Sequence, residues 1–139
     1  MALADRDLAG AESAAAEIRA AGGEALAVCL DVTSEREWDQ ATAAVLARWE
    51  ALDIAVCSAG ISHGAPLVDL TLEVWRRVMS VNCDGCFQGV RAVARCMKAR
   101  RRIFSLTAVV SICARDELCI CGTLRAFIAG GHNDIDGRH

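Results

Sequence analysis

Short apolar runs alternate along this chain with longer stretches in which apolar residues recur at helical spacing. Residues 2–4 resemble the tail of a strand, and a continuous apolar run over residues 25–30 ends at Asp31. The next stretch, 34–49, carries tryptophans and small apolar residues every three or four positions. Such alternation is typical of βαβ units, in which helices cover a parallel sheet. The sequence therefore predicts an α/β fold, with the run at 25–30 as a parallel strand buried on both faces.

Helix start and stop signals predict where the first two helices begin and end. Asp7 is placed to cap a helix over residues 8–21, and Gly22 supplies a stop that tolerates positive φ. Ser34 and Glu37 form an S-x-x-E capping box, in which each side chain is expected to bond the other residue's backbone N–H.

Two further strands and one long helix are predicted in the second half of the chain. The strands are expected at residues 54–57 and 103–110, which are rich in apolar and β-branched side chains. Thr71 is placed to cap a helix over residues 72–98. The side chains predicted to face inward from this helix are Trp75, Val78, Met79, Cys86, Val90, Val93 and Met97.

The bulk composition favours one globular domain and excludes several classes of partner. With 139 residues, 54% of them hydrophobic, the chain is long enough to bury a core. A net charge of −3 argues against nucleic acid or an anionic membrane as a partner. The first residues do not resemble a secretory signal, and no run is long enough to span a bilayer. We therefore expect a cytoplasmic protein with reduced cysteines, a single domain over residues 1–129 and a flexible tail over 130–139.

Two motifs in the middle of the chain carry a family resemblance. The run DIAVCSAG extends from Asp53 to Gly60, and the run VNCDG begins with Val81 and Asn82. In this order they resemble the D-x-x-V-N-N-A-G strand end and the V-N-x-x-G helix of the short-chain dehydrogenases/reductases. The resemblance covers residues 2–102 and implies a partial Rossmann-like, doubly wound parallel sheet. It also implies a parent reaction in which hydride passes between NAD(P) and a secondary alcohol or ketone.

The resemblance assigns the first cofactor contacts to Asp5 and Arg6. Asp5 occupies the position of the acid that hydrogen-bonds the adenosine ribose, which implies NAD because a carboxylate repels a 2′-phosphate. Arg6 leaves NADP open, because a guanidinium pairs with that phosphate. The alternative for Asp5 is an ordinary acidic turn residue.

Further cofactor contacts are implied after the next two strands. Asp31 and Val32 match the pair that contacts the adenine, although Asp31 would equally begin a turn. Ser58, Ala59 and Gly60 match the loop beside the ribose, where the glycine allows close approach of the backbone. Because Cys57 and Ser58 replace two asparagines of the family motif, we expect this loop to be less firmly held.

Asn82 is the one catalytic residue that the resemblance assigns. In the family, the helical asparagine holds a water in a proton relay to the catalytic lysine. Asparagine is mildly unfavourable inside a helix, because its amide competes for backbone groups. The alternative interpretation is an asparagine that faces solvent.

The two other motifs that such enzymes need are missing. The sequence has no T-G-x-x-x-G-x-G turn, which holds the pyrophosphate, and it contains no tyrosine for a Y-x-x-x-K pair. Laid on the family without gaps, Ala108, Cys121 and Arg125 fall at the serine, tyrosine and lysine positions. A guanidinium does not shuttle protons as a lysine does, so we expect a fragment without turnover. The residues after Arg115 do not resemble the family, and a change of reading frame near Arg102 is our hypothesis for that break.

The missing first strand has a structural consequence. In the strand order 3-2-1-4-5 it lies between the second and fourth strands, so its absence leaves two pieces of sheet with unpaired edges. Either the two pieces pair directly, or the chain is only weakly stable alone.

Two other functions remain open at this stage. Cys83 and Cys86, together with the cysteines at 119 and 121 and with His132, are a weak candidate for a zinc site. Against zinc, the first pair lies inside the predicted helix and the second lacks a two-residue spacer, so we assign no metal site. The long helix 72–98 is a candidate surface for a homodimer or a non-catalytic interaction.

Overall fold

The computed structural model describes residues 1–98, 104–108, 112–115, 117–120 and 124–128, with side chains described for residues 1–97. The predicted tail over 130–139 lies outside these residues. The first part contains strand β1, helix α1, strand β2 and helix α2, followed by two helices and a group of four strands. In chain order the elements are β1 (Ala2–Asp5), α1 (Leu8–Ala20), β2 (Leu26–Cys29), α2 (Glu35–Trp49), α3 (Leu72–Met79), α4 (Gly85–Lys98), β3 (Phe104–Ala108), β4 (Ile112–Arg115), β5 (Glu117–Ile120) and β6 (Leu124–Ile128).

The strands form three separate pairs within the described residues. β1 and β2 are parallel, with Ala2 opposite Leu26 and Asp5 opposite Cys29. β3 pairs with β6 and β4 pairs with β5, both antiparallel. The parallel pair, whose connection is helix α1, confirms the predicted α/β class. The strand expected at 103–110 is present over residues 104–108, and its partner β6 runs against it.

The predicted helix caps are present. The Asp7 carboxylate accepts a hydrogen bond from the backbone N–H of Gly10 at 3.2 Å. Gly22 follows α1 with a φ of 85°, in the left-handed region that favours glycine. The hydroxyl of Thr71 accepts from the backbone N–H of Val74 at the start of α3.

The capping box of α2 forms in one direction only. The Ser34 hydroxyl accepts from the backbone N–H of Glu37, as predicted, at 3.3 Å. The Glu37 carboxylate, however, accepts from the backbone N–H of Asp31 at 2.7 Å rather than from Ser34. The prediction was wrong on that second bond. Glu37 thereby connects α2 to the end of β2, which fixes the turn that follows the strand.

The strand predicted at residues 54–57 does not form. Residues 51–65 contain no helix or strand, and Ile54 and Val56 are 76% and 72% exposed. A strand needs a hydrogen-bonded neighbour, and β1 pairs only with β2. Among the described residues, none pairs with residues 54–57. The two pieces of the split sheet therefore do not pair directly, which was one of the two outcomes expected.

The predicted helix over residues 72–98 is one continuous helical run with a change of winding at its centre. Between α3 and α4, Ser80–Asp84 forms a turn of π-helix. Val78, Cys86, Val93 and Met97 are buried as predicted. Trp75 was predicted to face inward and is instead 36% exposed.

The core lies between α2, α4 and the segment before Gly60. Cys86, Val93 and Met97 form its centre, against which Leu52, Ala55, Cys57 and Val90 pack. The Trp38 ring of α2 lies over Gly89 of α4, where an added Cβ would come within 2.7 Å of the ring. β2 is only half-buried, so the prediction that it is covered on both faces was wrong. No helix in the described part of the chain is long and apolar enough to cross a membrane.

Candidate functional site

One large cavity of about 970 Å³ lies between β1 and the irregular segment at residues 53–59. β1 lines one side of it, and residues 53–59 line the other. Helices α2 and α4 contribute apolar side chains, among them Val45 and Val93. Among the described residues that line it, the charged side chains are two carboxylates, Asp5 and Asp53.

Asp5 ends β1 and lines the cavity with an exposed side chain. Its carboxylate accepts from the backbone N–H of Asp7 at 2.9 Å, which closes the turn leading into α1. Its backbone carbonyl accepts from the N–H of Leu30, so the position of Asp5 is fixed by the parallel pair. The residue therefore has the turn role of the alternative interpretation. It also lies where a strand end meets a cavity, as ligand-binding residues of open α/β sheets do.

Arg6 follows Asp5 and is exposed, outside the lining of the cavity. Its positive charge makes a minor contribution to lowering the pKa of the Asp31 carboxyl, so the two loops after β1 and β2 are electrostatically connected. The sequence provided no signal for this connection, since α1 and β2 separate the two residues along the chain.

Asp31 lies in the turn that follows β2. Its carboxylate accepts from the Thr33 hydroxyl at 2.7 Å and from the Thr33 backbone N–H at 2.9 Å. These two hydrogen bonds lower the pKa of the Asp31 carboxyl below its usual value, and the bond from the Thr33 hydroxyl contributes more than the bond from the backbone N–H. Asp31 is thus a turn residue in an Asx-type arrangement that is ionised at neutral pH. Its carboxylate does not contribute to the lining of the cavity.

Val32 is half-buried and lines the cavity. It also packs against α4, because a Cβ added at Gly85 would come within 2.7 Å of the valine methyl group. Its carbonyl accepts from the indole N–H of Trp38 at 3.0 Å. Val32 is therefore held on two sides while part of its side chain still faces the cavity.

Gly60 and Asn82 are brought together by the fold. Asn82 is 8% exposed, so the solvent-facing alternative for this residue was wrong. Its side-chain carbonyl accepts from the Ile61 backbone N–H at 2.8 Å, and its amide donates to the Ile61 carbonyl at 2.9 Å. A Cβ at Gly60 would lie 3.4 Å from the same side-chain oxygen. The asparagine thus holds the loop that follows residues 58–60 by a pair of backbone hydrogen bonds.

The π-helical turn explains how Asn82 reaches this loop. Asn82 is the middle residue of Ser80–Asp84, where the helix widens by one residue per turn. Such turns are frequent at functional positions of helices. Helical periodicity alone contains no signal for a π-turn, so the sequence predicted the residue but not the local winding.

Four of the predicted site residues line the same cavity, and four do not. Those that line it are Asp5, Val32, Ser58 and Ala59. Asp5 ends β1, Val32 lies in the turn after β2, and the other two lie in the irregular segment at 53–59. Those outside its lining are Arg6, Asp31, Gly60 and Asn82. Two of these four still lie next to the cavity, because Gly60 belongs to the 58–61 loop and Asn82 holds that loop by its bonds to Ile61.

A pair of cysteines beside the cavity was not singled out from the sequence. Cys57 packs against Cys86 in the core of the second half. Burial raises the pKa of the Cys57 thiol to about 12, and the adjacent Cys86 thiol contributes in the same direction. Burial likewise raises the pKa of the Cys86 thiol. Both are therefore protonated core side chains at neutral pH rather than nucleophiles.

Only part of the zinc alternative falls on side chains that the structure describes. There, no three Cys, His, Asp or Glu side chains are grouped so as to hold a metal ion. The Cys83 thiol lies 3.9 Å from the Met79 sulfur, and Cys86 is buried beside Cys57. Cys121 and His132 lie outside the described residues.

The positions laid on the catalytic motif are only partly described. Ala108 ends β3 and pairs with Leu124, while Thr107 pairs with Arg125. Cys121 lies outside the described residues. The backbone thus brings two of the three positions to adjacent rungs of one antiparallel ladder.

The fold defines a class of protein. A parallel strand pair connected by a helix, with a cavity at the strand ends, is the architecture of part of a Rossmann-like α/β domain. The family model described as enoyl-(acyl carrier protein) reductase matches residues 1–129. A solved structure of a short-chain type dehydrogenase/reductase from Mycobacterium marinum superposes with a TM-score of 0.79 at 28% identity, covering 85% of this chain and 49% of the other.

Curated relatives agree with the structural match. The chain is 39% identical over 102 residues to sorbitol dehydrogenase of Cereibacter sphaeroides, covering 73% of this chain and 39% of that enzyme. It is 35% identical over 104 residues to 3-oxoacyl-[acyl-carrier-protein] reductase of Synechocystis, covering 73% of this chain and 42% of that enzyme. The chain belongs to the short-chain dehydrogenase/reductase family. It spans about two fifths of the length of these relatives, which are oxidoreductases.

Proposed function

We propose that this chain provides the adenosine half of a nicotinamide dinucleotide site. The observation that supports the proposal is that Asp5, Val32, Ser58 and Ala59 line one cavity. In a protein that also contains the pyrophosphate turn and the Tyr/Lys pair, the reaction would be hydride transfer between NAD(P) and a secondary alcohol or ketone. The nicotinamide cofactor accepts or supplies the hydride in that reaction.

Each residue has a distinct role in the proposed site. The Asp5 carboxylate accepts hydrogen bonds from the ribose hydroxyls, and its charge disfavours a 2′-phosphate. Val32 provides an apolar surface for the adenine. The 58–60 backbone approaches the ribose, and Asn82 acts on the site as a positioning residue through its two bonds to Ile61. In a complete enzyme Asn82 would also hold the relay water of the family.

We propose that the chain by itself has no turnover. The sequence has no tyrosine, and the sulfhydryl and guanidinium groups at the corresponding positions do not form an equivalent proton relay. Within the described residues, the cavity offers two carboxylates and an apolar lining but no paired acid and base. Such a site binds and orients a ligand without moving a proton. A cytoplasmic location remains a prediction.

Cofactor binding tests the proposal directly. We expect weak, saturable binding of NADH by the purified chain, competed by AMP, with weaker binding of NADPH. Asp5→Asn keeps the acceptor for the Asp7 N–H but removes the charge, so it should reduce the preference for NADH over NADPH. Asp69→Asn removes an exposed carboxylate outside the cavity lining and serves as the matched control. If no binding saturates, or if AMP does not compete, the proposed site does not exist.

A non-catalytic interaction through the helical run of α3 and α4 is the second candidate. It is favoured by large apolar side chains on the surface of this run. Leu72 is 67% exposed and Phe87 is 59% exposed, with the Arg91 guanidinium 5.8 Å from the Phe87 ring centre. Size-exclusion chromatography tests this function. If the wild-type chain elutes as a dimer, Phe87→Ser should shift it towards the monomer. A wild-type monomer at all concentrations would rule out self-association.

A further inference from the structure

The loop that follows β2 is held by side chains from two helices. Three successive residues of this loop each have a backbone group bonded to a side chain of α2 or α4. The bonded pairs are the Asp31 N–H with Glu37 at 2.7 Å, the Val32 carbonyl with Trp38 at 3.0 Å, and the Thr33 carbonyl with Gln88 at 3.1 Å. The backbone of the loop is therefore held in one conformation before any ligand binds.

Glu37 makes the shortest of these bonds, and the other backbone group of Asp31 is held as well. The Glu37 side chain is 25% exposed, and its Oε2 atom accepts from the Asp31 N–H, whereas Arg36 lies 3.9 Å from Oε1. A hydrogen bond to a carboxylate is stronger than one between neutral groups. The Asp31 carbonyl accepts from the Ser34 N–H at 2.9 Å, so both backbone polar groups of Asp31 are fixed. This bond also explains why Glu37 does not close the capping box, because the Ser34 N–H already has a partner.

The Asp31 carboxylate offers one oxygen to a ligand. The two bonds from Thr33 both end on its Oδ1 atom, at 2.7 and 2.9 Å. In the described part of the chain its Oδ2 atom accepts no hydrogen bond, and the side chain is exposed. The next residue, Val32, lines the cavity with an apolar surface. An ionised carboxylate only accepts hydrogen bonds, so a fixed Oδ2 beside this surface suits a flat heteroaromatic base with an amino group.

We propose that Glu37 is a positioning residue for an adenine base, acting by fixing Asp31 so that its Oδ2 atom accepts from the exocyclic amino group. This inference rests on the proposed nucleotide site and adds to it a residue that governs selection of the base. Glu37 does not itself contact the base. Without its bond to Glu37, the start of the loop is free to move and the Asp31 carboxylate loses its fixed direction. Selectivity for the amino group should then be lost, while contact of the base with Val32 is retained.

Two ligands that differ only in the amino group test this role. They are AMP and purine riboside 5′-monophosphate, which carries a hydrogen in place of the amino group. Nuclear magnetic resonance titrations of the full chain give the Kd of each ligand. For the wild type we expect AMP to bind about tenfold more tightly, as for one additional hydrogen bond to a charged acceptor.

Three variants separate positioning from a general loss of structure. Glu37→Ala removes the acceptor for the Asp31 N–H, whereas Glu37→Gln keeps a side-chain oxygen that accepts the same bond. Glu17→Ala removes an exposed glutamate of α1 and is the matched control. We expect the preference for AMP to fall to about twofold or less in Glu37→Ala and to stay near about tenfold in the other two variants. A purely structural effect would weaken both ligands equally and leave their ratio unchanged.

The outcomes distinguish this inference from the proposed function. Equal affinity of the wild type for the two ligands would overturn the role of Glu37 and leave the nucleotide site in place. An unchanged ratio of affinities in folded Glu37→Ala would do the same. If neither ligand saturates the wild type, the nucleotide site itself does not exist, and the role of Glu37 falls with it.

Amide exchange in the wild-type chain keeps the test decisive if Glu37→Ala does not fold. Because coupling between two interactions is reciprocal, a bond from AMP to Oδ2 should in turn slow exchange of the Asp31 N–H that Glu37 binds. At saturation, AMP should protect this N–H more than purine riboside 5′-monophosphate does. Equal protection by the two ligands would overturn the proposal.

Discussion

Replacing Asn82 by alanine tests the most specific structural assignment in this protein. Asn82 is buried, and both polar atoms of its amide bond to the backbone of Ile61. Each bond contributes about 1 kcal/mol net, and leaving the Ile61 N–H and C=O without partners adds to the loss. Because Ile61 is only half-buried, water reaches those groups after a small loop movement. We therefore expect Asn82→Ala to lower the free energy of unfolding by about 2–3 kcal/mol.

Gln88→Ala is the matched control for this experiment. Gln88 is another amide side chain on the same helical run, but it donates a single hydrogen bond, to the Thr33 carbonyl at 3.1 Å. Its side-chain oxygen is buried without a partner in the described structure. We expect its replacement to cost less than about 1 kcal/mol.

Urea unfolding followed by circular dichroism gives both free energies by linear extrapolation. Amide exchange at Ile61 supplies the local readout. The exchange rate of this N–H should rise in Asn82→Ala and stay at the wild-type value in Gln88→Ala. Asn82 does not hold the loop if the free energy of unfolding of Asn82→Ala lies within about 0.5 kcal/mol of the wild-type value and the Ile61 N–H exchanges at the same rate in both.

Three further predictions follow from packing and charge. Gly89→Ala should lower the free energy of unfolding by about 1–3 kcal/mol in urea titrations, because its Cβ would lie 2.7 Å from the Trp38 ring; an unchanged midpoint would contradict the packing. Because the pKa of Asp31 is lowered in the folded state, its ionised carboxylate stabilises the fold at pH values above the unfolded pKa of about 4, and this stabilisation is lost as the pH falls through the folded pKa. Asp31→Asn should therefore make the free energy of unfolding depend less on pH in the acid range, measured by urea titrations at several pH values. The effect should be small because the side chain is exposed. At pH 8 the half-buried Cys57, with its pKa raised to about 12, should alkylate far more slowly than the exposed Cys29 in mass-spectrometric labelling. Equal rates for the two thiols would contradict this prediction.

Local signals in the sequence were enough to predict the elements that local interactions determine. Asp7, Ser34 and Thr71 are caps whose hydrogen bonds reach only three residues ahead, so both residues of each bond can be read from the chain. The strand at 54–57 failed for the opposite reason. Its apolar pattern is that of a strand, but strand formation depends on a neighbour from elsewhere, and no strand in the described part of the chain pairs with it.

The candidate site was predicted as a set of residues but not as an arrangement. The family motifs identified Asp5, Val32, Ser58 and Ala59, which the cavity brings together. They gave no indication that Asn82 would lie in a π-helical turn and bond the loop after Gly60. That contact depends on helical winding and on a loop twenty-one residues away, two features that residue spacing does not encode.

Catalysis by the purified chain is the most direct test of the account as a whole. The measurement is formation of NADH from NAD and a series of secondary alcohols, with preparations shown to be free of host dehydrogenases. We predict saturable binding of NADH without any alcohol-dependent formation of it. Turnover that is proportional to the amount of this chain would contradict this prediction, because the chain would then have to supply a proton relay without a tyrosine.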